Sequence, residues 1–302
     1  MLRDLAQDDN RIVAISADLT RTSGLERFAS DYPDRLINAG IAEQGALGFA
    51  AGIADAGRVP FVTTFANFAA LRANEFARHF MAYMRCNVKL VGFGAGFAME
   101  LFGNTHYGLE DMAVLRSMPN LTILSPCDCL EVAKCVEWSA SNEGPVYLRL
   151  TGRMGNPIVY REDYSFEPGR AVTLREGSDA VVFATGSMVA VALKAADLLV
   201  ESGIELEVVN IHTVKPIDSE AIISRKGRKV IATVEEHSAV GGLGSAVAEV
   251  LSECSGHGKL IRLGTGDSYF KAGRYEYMLA QHGLTAESIA AAITQQWKHG
   301  VD

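Results

Sequence analysis

The stretch "NAGIAEQGALGFAAG" (38–52) carries a single carboxylate, Glu43, in a run of small and apolar residues. Glu43 follows a loop and falls in or near the first turn of the helix that its neighbours predict. A carboxylate there gains roughly 0.3–1 kcal/mol from the helix dipole, which alone accounts for its position. Its neighbours Ile41, Ala42, Ala46, Leu47 and Phe49 are apolar, however, and a carboxyl among them is desolvated. Its pKa then rises unless a partner donates a hydrogen bond. A buried acid at a strand–loop–helix junction is also an active-site candidate, so both readings stand. Two further groups bear on the choice. "TTFANFAAL" (63–71) sets Phe65 and Phe68 three apart on one helical face at the mouth of a strand, which core packing explains equally well. "FGNTHYG" (102–108) holds His106 in a glycine-flanked loop after a strand, a setting more typical of function than of packing.

Other chemistry-bearing patterns are weaker. Cys127, Cys129 and Cys135 have no matching second ligand pair for zinc and read as packing residues. The glycine runs 92–97 and 240–250 match neither a dinucleotide fingerprint nor a phosphate loop. Gly241, Gly242 and Gly244 open a helix close to a strand, where backbone N–H groups could meet an anion, although tight packing explains them better. "TGSMV" (185–189) is not a nucleophile elbow, and Cys254 with His257 lies in a loop expected on the edge away from a ligand.

The elements that position these residues follow from periodicity. Short apolar runs at 11–16, 59–65, 88–94, 121–126 and 146–150 alternate with helical stretches near 43–56, 66–84, 108–117 and 128–141. That alternation predicts βαβ units and a mainly parallel sheet with helices on both faces. The polar stretch 151–170 breaks the pattern. A second set then follows, with strands at 179–185, 205–211, 229–235 and 259–264 and a last helix from about 285 to 297 capped by Thr285. The expected fold is therefore two three-layer α/β domains: 1–160, a linker at 161–175, and a smaller domain at 176–302. The 302 residues, 48% hydrophobic and 21% charged, suit two soluble domains of roughly 150 residues each. A net charge of −8 argues against nucleic acid or an anionic membrane as partner. No run reaches the ~18 apolar residues of a membrane span. The polar, acidic start "MLRDLAQDDN" and five cysteines lead us to expect a cytoplasmic protein with reduced thiols.

In chain order, "RIVAISADLT", "INAGIAEQGALGFAAGIA", "TTFANF", "GNTHYGLEDMAVLRSMPNLTILSPCD", "EEHSAVGGLGSAVAEVL" and "YMLAQHGLTAESI" resemble the C-terminal half of transketolase. The likeness spans nearly the whole chain and is of the split form, in which the two halves are separate polypeptides. It implies a pyrimidine-binding domain followed by a transketolase C-terminal domain, and thiamine diphosphate as cofactor. By resemblance, Glu43 bonds the aminopyrimidine N1′ and Phe65 and Phe68 stack on that ring. Asp18 lies near the cofactor, and Leu71 stands where the family has a third aromatic. His106 faces the substrate, and Arg153, or alternatively Arg149, holds its phosphate.

The family's diphosphate-and-metal motif begins G-D-G, which this chain lacks. The resemblance thus assigns diphosphate and Mg²⁺ mainly to an N-terminal partner subunit, in an α₂β₂ heterotetramer, with no metal ligand here. Gly94 and Phe102 replace a histidine and an aspartate that usually read sugar hydroxyls. The expected activity is ketol transfer from a ketose, phosphorylated in the usual case, to an aldehyde, with atypical substrates. The alternative is the β subunit of a 2-oxoacid dehydrogenase E1-type or other acyloin-forming enzyme.

Overall fold

A computed structural model describes residues 1–152 and 155–299, so Arg153 lies outside the described residues. The apolar runs without alternation become the central strands of a seven-stranded sheet. β1 (Ile12–Ser16), β3 (Val59–Phe65), β4 (Lys89–Ala95) and β6 (Val146–Thr151) are buried along most of their length, as strands covered on both faces must be. With β2 (Leu36–Asn38) and β5 (Thr122–Leu124) they run parallel in the order β5-β6-β4-β3-β1-β2. In the second half, β7 (Val172–Arg175), β8 (Ala180–Ala184) and β9 (Leu206–Asn210) are followed by β10 (Thr213–Lys215), β11 (Val230–Ser238) and β12 (Lys259–Thr265). The second sheet is ordered β12-β11-β8-β9-β7 and is parallel except for its edge strand β7.

Two observations refine the expected organisation. The end of the stretch read as a linker is β7, an edge strand of the second sheet. β10 leaves the second sheet and runs antiparallel to β5 at the edge of the first, so the two α/β units are interlocked. Thr285 does cap the last helix, Ala286–His299, accepting from Ser288 N at 3.2 Å. No helix among the described residues is long and apolar enough to cross a membrane.

Small residues let the helices approach the first sheet closely. In the helix Glu43–Asp55, Ala46 and Ala50 are fully buried, in one cluster with Ala69, Ala70, Ala73 and Ala77. The region expected as one helix over 66–84 is instead broken. Phe68–Arg72 and Ala77–Tyr83 have wide π-type turns, separated by the short helix Asn74–Phe76. Single π turns are often found at functional sites.

The glycines at 241–244 meet an anion from within the chain. Glu235 on β11 accepts from Leu243 N and Gly244 N, both at 2.7 Å, at the start of the helix Leu243–Ser252. A Cβ on Gly242 would stand 2.0 Å from Glu235 Oε2, so only glycine fits. Burial pushes the Glu235 carboxyl up to about 7.

The structure places Arg149, the alternative phosphate ligand, in the interior. Its side chain is fully buried, with Nε 2.7 Å from Asp111 Oδ2. Its NH2 donates to Gly108 O at 3.0 Å and to Glu236 O on β11 at 2.9 Å. It therefore bolts the two domains together. Burial pushes the Asp111 carboxyl up, but the Arg149 guanidinium outweighs this and holds it below the usual range. His237 accepts from Ala113 N through Nε2 at 3.3 Å, and its Nδ1 lies 2.8 Å from Ser238 O. These partners assign the neutral Nδ1–H tautomer, and burial lowers its pKa to about 4. Asp111→Asn leaves the buried guanidinium without its counter-charge, and urea unfolding is expected to show a loss of about 3–5 kcal/mol. A loss under about 1 kcal/mol would contradict the bolt.

Candidate active site

Glu43, Phe65 and Gly94 come together where β2, β3 and β4 end, on the sheet edge where α/β ligands bind. Glu43 is the first residue of its helix and only 3% exposed, and of its apolar neighbours Ala46 and Leu47 are buried whereas Ile41 and Phe49 face outward. The partner that burial demands is Arg72, whose NH1 lies 2.9 and 3.0 Å from the two carboxylate oxygens. Thr64 Oγ1 adds a weaker contact at 3.4 Å. The Arg72 guanidinium in turn lies 3.7 Å over the Phe68 ring. The π turn Phe68–Arg72 carries both residues of this stack.

An aromatic wall surrounds the acid's side of the site. Phe65 packs edge-on to Phe68 at 5.7 Å and against Phe93 at 4.8 Å. The His106 ring lies 5.8 Å from Phe65, 5.2 Å from Phe68 and 5.0 Å from Phe102. Its Nδ1 is 2.9 Å from Thr105 Oγ1. Phe102 itself is 65% exposed and leaves an apolar surface beside the imidazole.

Gly94 has φ +66°, and a Cβ there would stand 2.8 Å from Met99 Sδ and 3.5 Å from the Phe65 ring. A side chain at 94 is therefore excluded unless Met99 moves. Asp18 sits apart, at the exit of β1 and exposed, with φ +61°. Asn38 holds it by a fork, donating to Asp18 Oδ1 at 3.0 Å and accepting from Asp18 N at 3.1 Å. The same Asn38 oxygen accepts from Gly40 N at 3.0 Å, which links Asp18 to the loop before Glu43. Leu71 is half exposed.

Sequence reasoning missed Arg72, Phe93, Thr64 and Asn67, which donates to Thr105 O at 2.5 Å. Arg72 is the only charged residue between Arg58 and Glu75, and a lone cation after a lone buried acid was the available signal. Among the described residues no group of three or more His, Cys, Asp or Glu could hold a metal ion.

This combination of fold and site has relatives. Residues 1–156 match the transketolase pyrimidine-binding domain and residues 169–289 the transketolase C-terminal domain. A putative transketolase C-terminal section from Methanocaldococcus jannaschii is 38% identical over 299 residues, 98% of this chain and 94% of that protein. The 6-deoxy-6-sulfo-D-fructose transketolase subunit SqwH of a Clostridium species is 41% identical over 294 residues, 97% of this chain and 90% of that protein. A solved split-gene transketolase, an inactive β4 tetramer, is 40% identical with a TM-score of 0.88, over 98% of this chain and 95% of that one. The chain belongs to the transketolase family and spans its pyrimidine-binding and C-terminal domains.

Arg72→Ala removes the cation that Glu43 faces. Arg72 is 39% exposed, so water screens part of the pair, and the expected loss of stability is about 1–3 kcal/mol in urea unfolding. An unchanged midpoint would contradict the pairing.

Proposed function

We propose that this chain is the C-terminal subunit of a two-chain, thiamine-diphosphate-dependent enzyme that transfers a two-carbon ketol unit from a ketose to an aldehyde. The observation that carries the reading is the buried Glu43 carboxylate beside the aromatic wall of Phe65, Phe68 and Phe93. An aminopyrimidine needs a ring face to stack on and a carboxyl group that shares a proton with its ring nitrogen. The Arg72 guanidinium already stacks on Phe68 and pairs with Glu43, so a ring seated on that face takes the place of the guanidinium. When bound, the cofactor supplies the carbon nucleophile for breaking and remaking the C–C bond.

The chain's own residues bind, orient and hold protons. Glu43 shares a proton with the ring nitrogen and so controls protonation there. Phe65 and Phe68 fix the plane of the ring. His106 presents an imidazole to the substrate oxygen. Phe102 and the bare backbone at Gly94 face the substrate with apolar surface where hydroxyl-reading groups would stand in a sugar-phosphate site. A pocket without such groups loses its preference for hydroxyl-rich donors. The name of the Clostridium relative, a transketolase subunit for a sulfonated sugar, supports a modified substrate.

Partner dependence rests on three supports. The chain has no G-D-G sequence for diphosphate and Mg²⁺, so we assign these to an N-terminal subunit. The related split-gene transketolase is an inactive β4 tetramer, which fits an α₂β₂ active form here. Ile41 and Phe49, 76% and 59% exposed, flank Glu43 and give the partner an apolar surface beside the site.

In the reconstituted complex, Glu43→Ala is expected to lower turnover by about 10²–10⁴-fold with the assembly intact. Unchanged turnover would sink the assignment. The wild-type complex is also expected to use xylulose 5-phosphate and ribose 5-phosphate poorly, and efficient use of both would contradict the apolar substrate wall.

A further inference from the structure

The loop that carries Phe102 and His106 belongs to the first domain in sequence but to the second in packing. Residues 96–108 leave β4 and return to it, closed where Gly96 N donates to Gly108 O at 2.8 Å and Gly108 N to Gly96 O at 3.2 Å. Phe97 and Tyr107, at the two ends of the loop, are buried in the hydrophobic cluster built from Val182, Val234 and Met278 of the second domain. The Phe97 ring stacks on His282 at 5.1 Å and 17°, and its N–H donates to Glu236 Oε1 at 2.6 Å.

The tip of the loop is held as firmly as its ends. The Asn104 amide forks onto the backbone of Phe270: Nδ2 donates to the carbonyl at 2.6 Å and Oδ1 accepts from the N–H at 3.1 Å. Tyr107 Oη donates to Glu100 O at 2.6 Å and accepts from Gly273 N at 3.4 Å. Gly103, at φ +70°, comes so near that a Cβ there would stand 3.2 Å from Ala272 Cβ. From the first domain, Asn67 fixes the next carbonyl, that of Thr105. His106 thus follows directly on two residues pinned from opposite domains.

We propose that residues 270–273 of the second domain act as a clamp on the substrate-facing loop, and that Asn104 is a positioning residue that sets where Phe102 and His106 stand. This rests on the reading that His106 faces substrate. Asn104 is itself exposed and forms no part of the core, so its fork serves the placement of the loop more than the stability of the fold. The two bonds are made to main chain at 270. The second domain therefore reaches the substrate-facing loop through its backbone geometry at 270.

The test compares Asn104→Ala and Tyr107→Phe with wild type in the reconstituted complex, by steady-state kinetics and amide hydrogen exchange. Asn104→Ala is expected to raise the donor KM about tenfold with kcat changed less than about threefold, because a misplaced reader costs binding geometry. Tyr107→Phe is expected to move KM the same way by a smaller factor. Exchange at 99–107 should rise in both variants, with β3 and β4 as protected as in wild type. Unchanged exchange at 99–107 in Asn104→Ala overturns the clamp. A fall in melting temperature and kcat together at constant KM also overturns it, since that is what a purely structural role gives. If the wild-type complex transfers no ketol unit, the functional reading fails. The exchange arm then decides the clamp alone, supporting it if 99–107 loosens and overturning it if not.

Discussion

A carboxylate carried into the protein interior at the start of a helix sets the terms for everything around it. Glu43 has lost its water, and an uncompensated charge there costs several kcal/mol. The structure answers with a cation from the adjacent π turn, and an aromatic ring holds that cation flat. Straight α-helical geometry over 66–84 is given up at the turn that delivers Arg72 and Phe68. The alanine-rich faces behind it let the two helical segments close on one another.

The second domain matters through two kinds of contact. Arg149 and Asp111 form a fully buried pair, and one further bond of Arg149 crosses to Glu236 O on β11, so the domains share one polar core. Phe97 and Tyr107 extend the second domain's apolar core under the loop that bears His106. The loop of residues 96–108 thus rests on the second domain. β10 adds to the interlock by completing the first sheet from the far half of the chain.

Much of this was legible in the sequence, for definite reasons. The central strands were found to within three residues because burial on both faces leaves continuous apolar runs. The helix after Asn38 and the loop with His106 followed from small-residue content and flanking glycines. β10 was not legible, since three residues on an antiparallel edge carry no period. The burial of Arg149 was not legible either, because its partners lie 38 and 87 residues away. Glu43 showed its need for a partner, but Arg72 is 29 residues on and reaches it through a turn that helical spacing does not predict. What role Glu43 plays came from the ordered motifs of the family and not from its surroundings alone.

The central claim is that this chain supplies the pyrimidine half of a cofactor site completed by another polypeptide. Calorimetric titration of thiamine diphosphate with Mg²⁺ into this chain, into its N-terminal partner and into the mixture tests it most directly. The account predicts stoichiometric binding by the mixture alone. Equally tight, stoichiometric binding by this chain without a partner would contradict it.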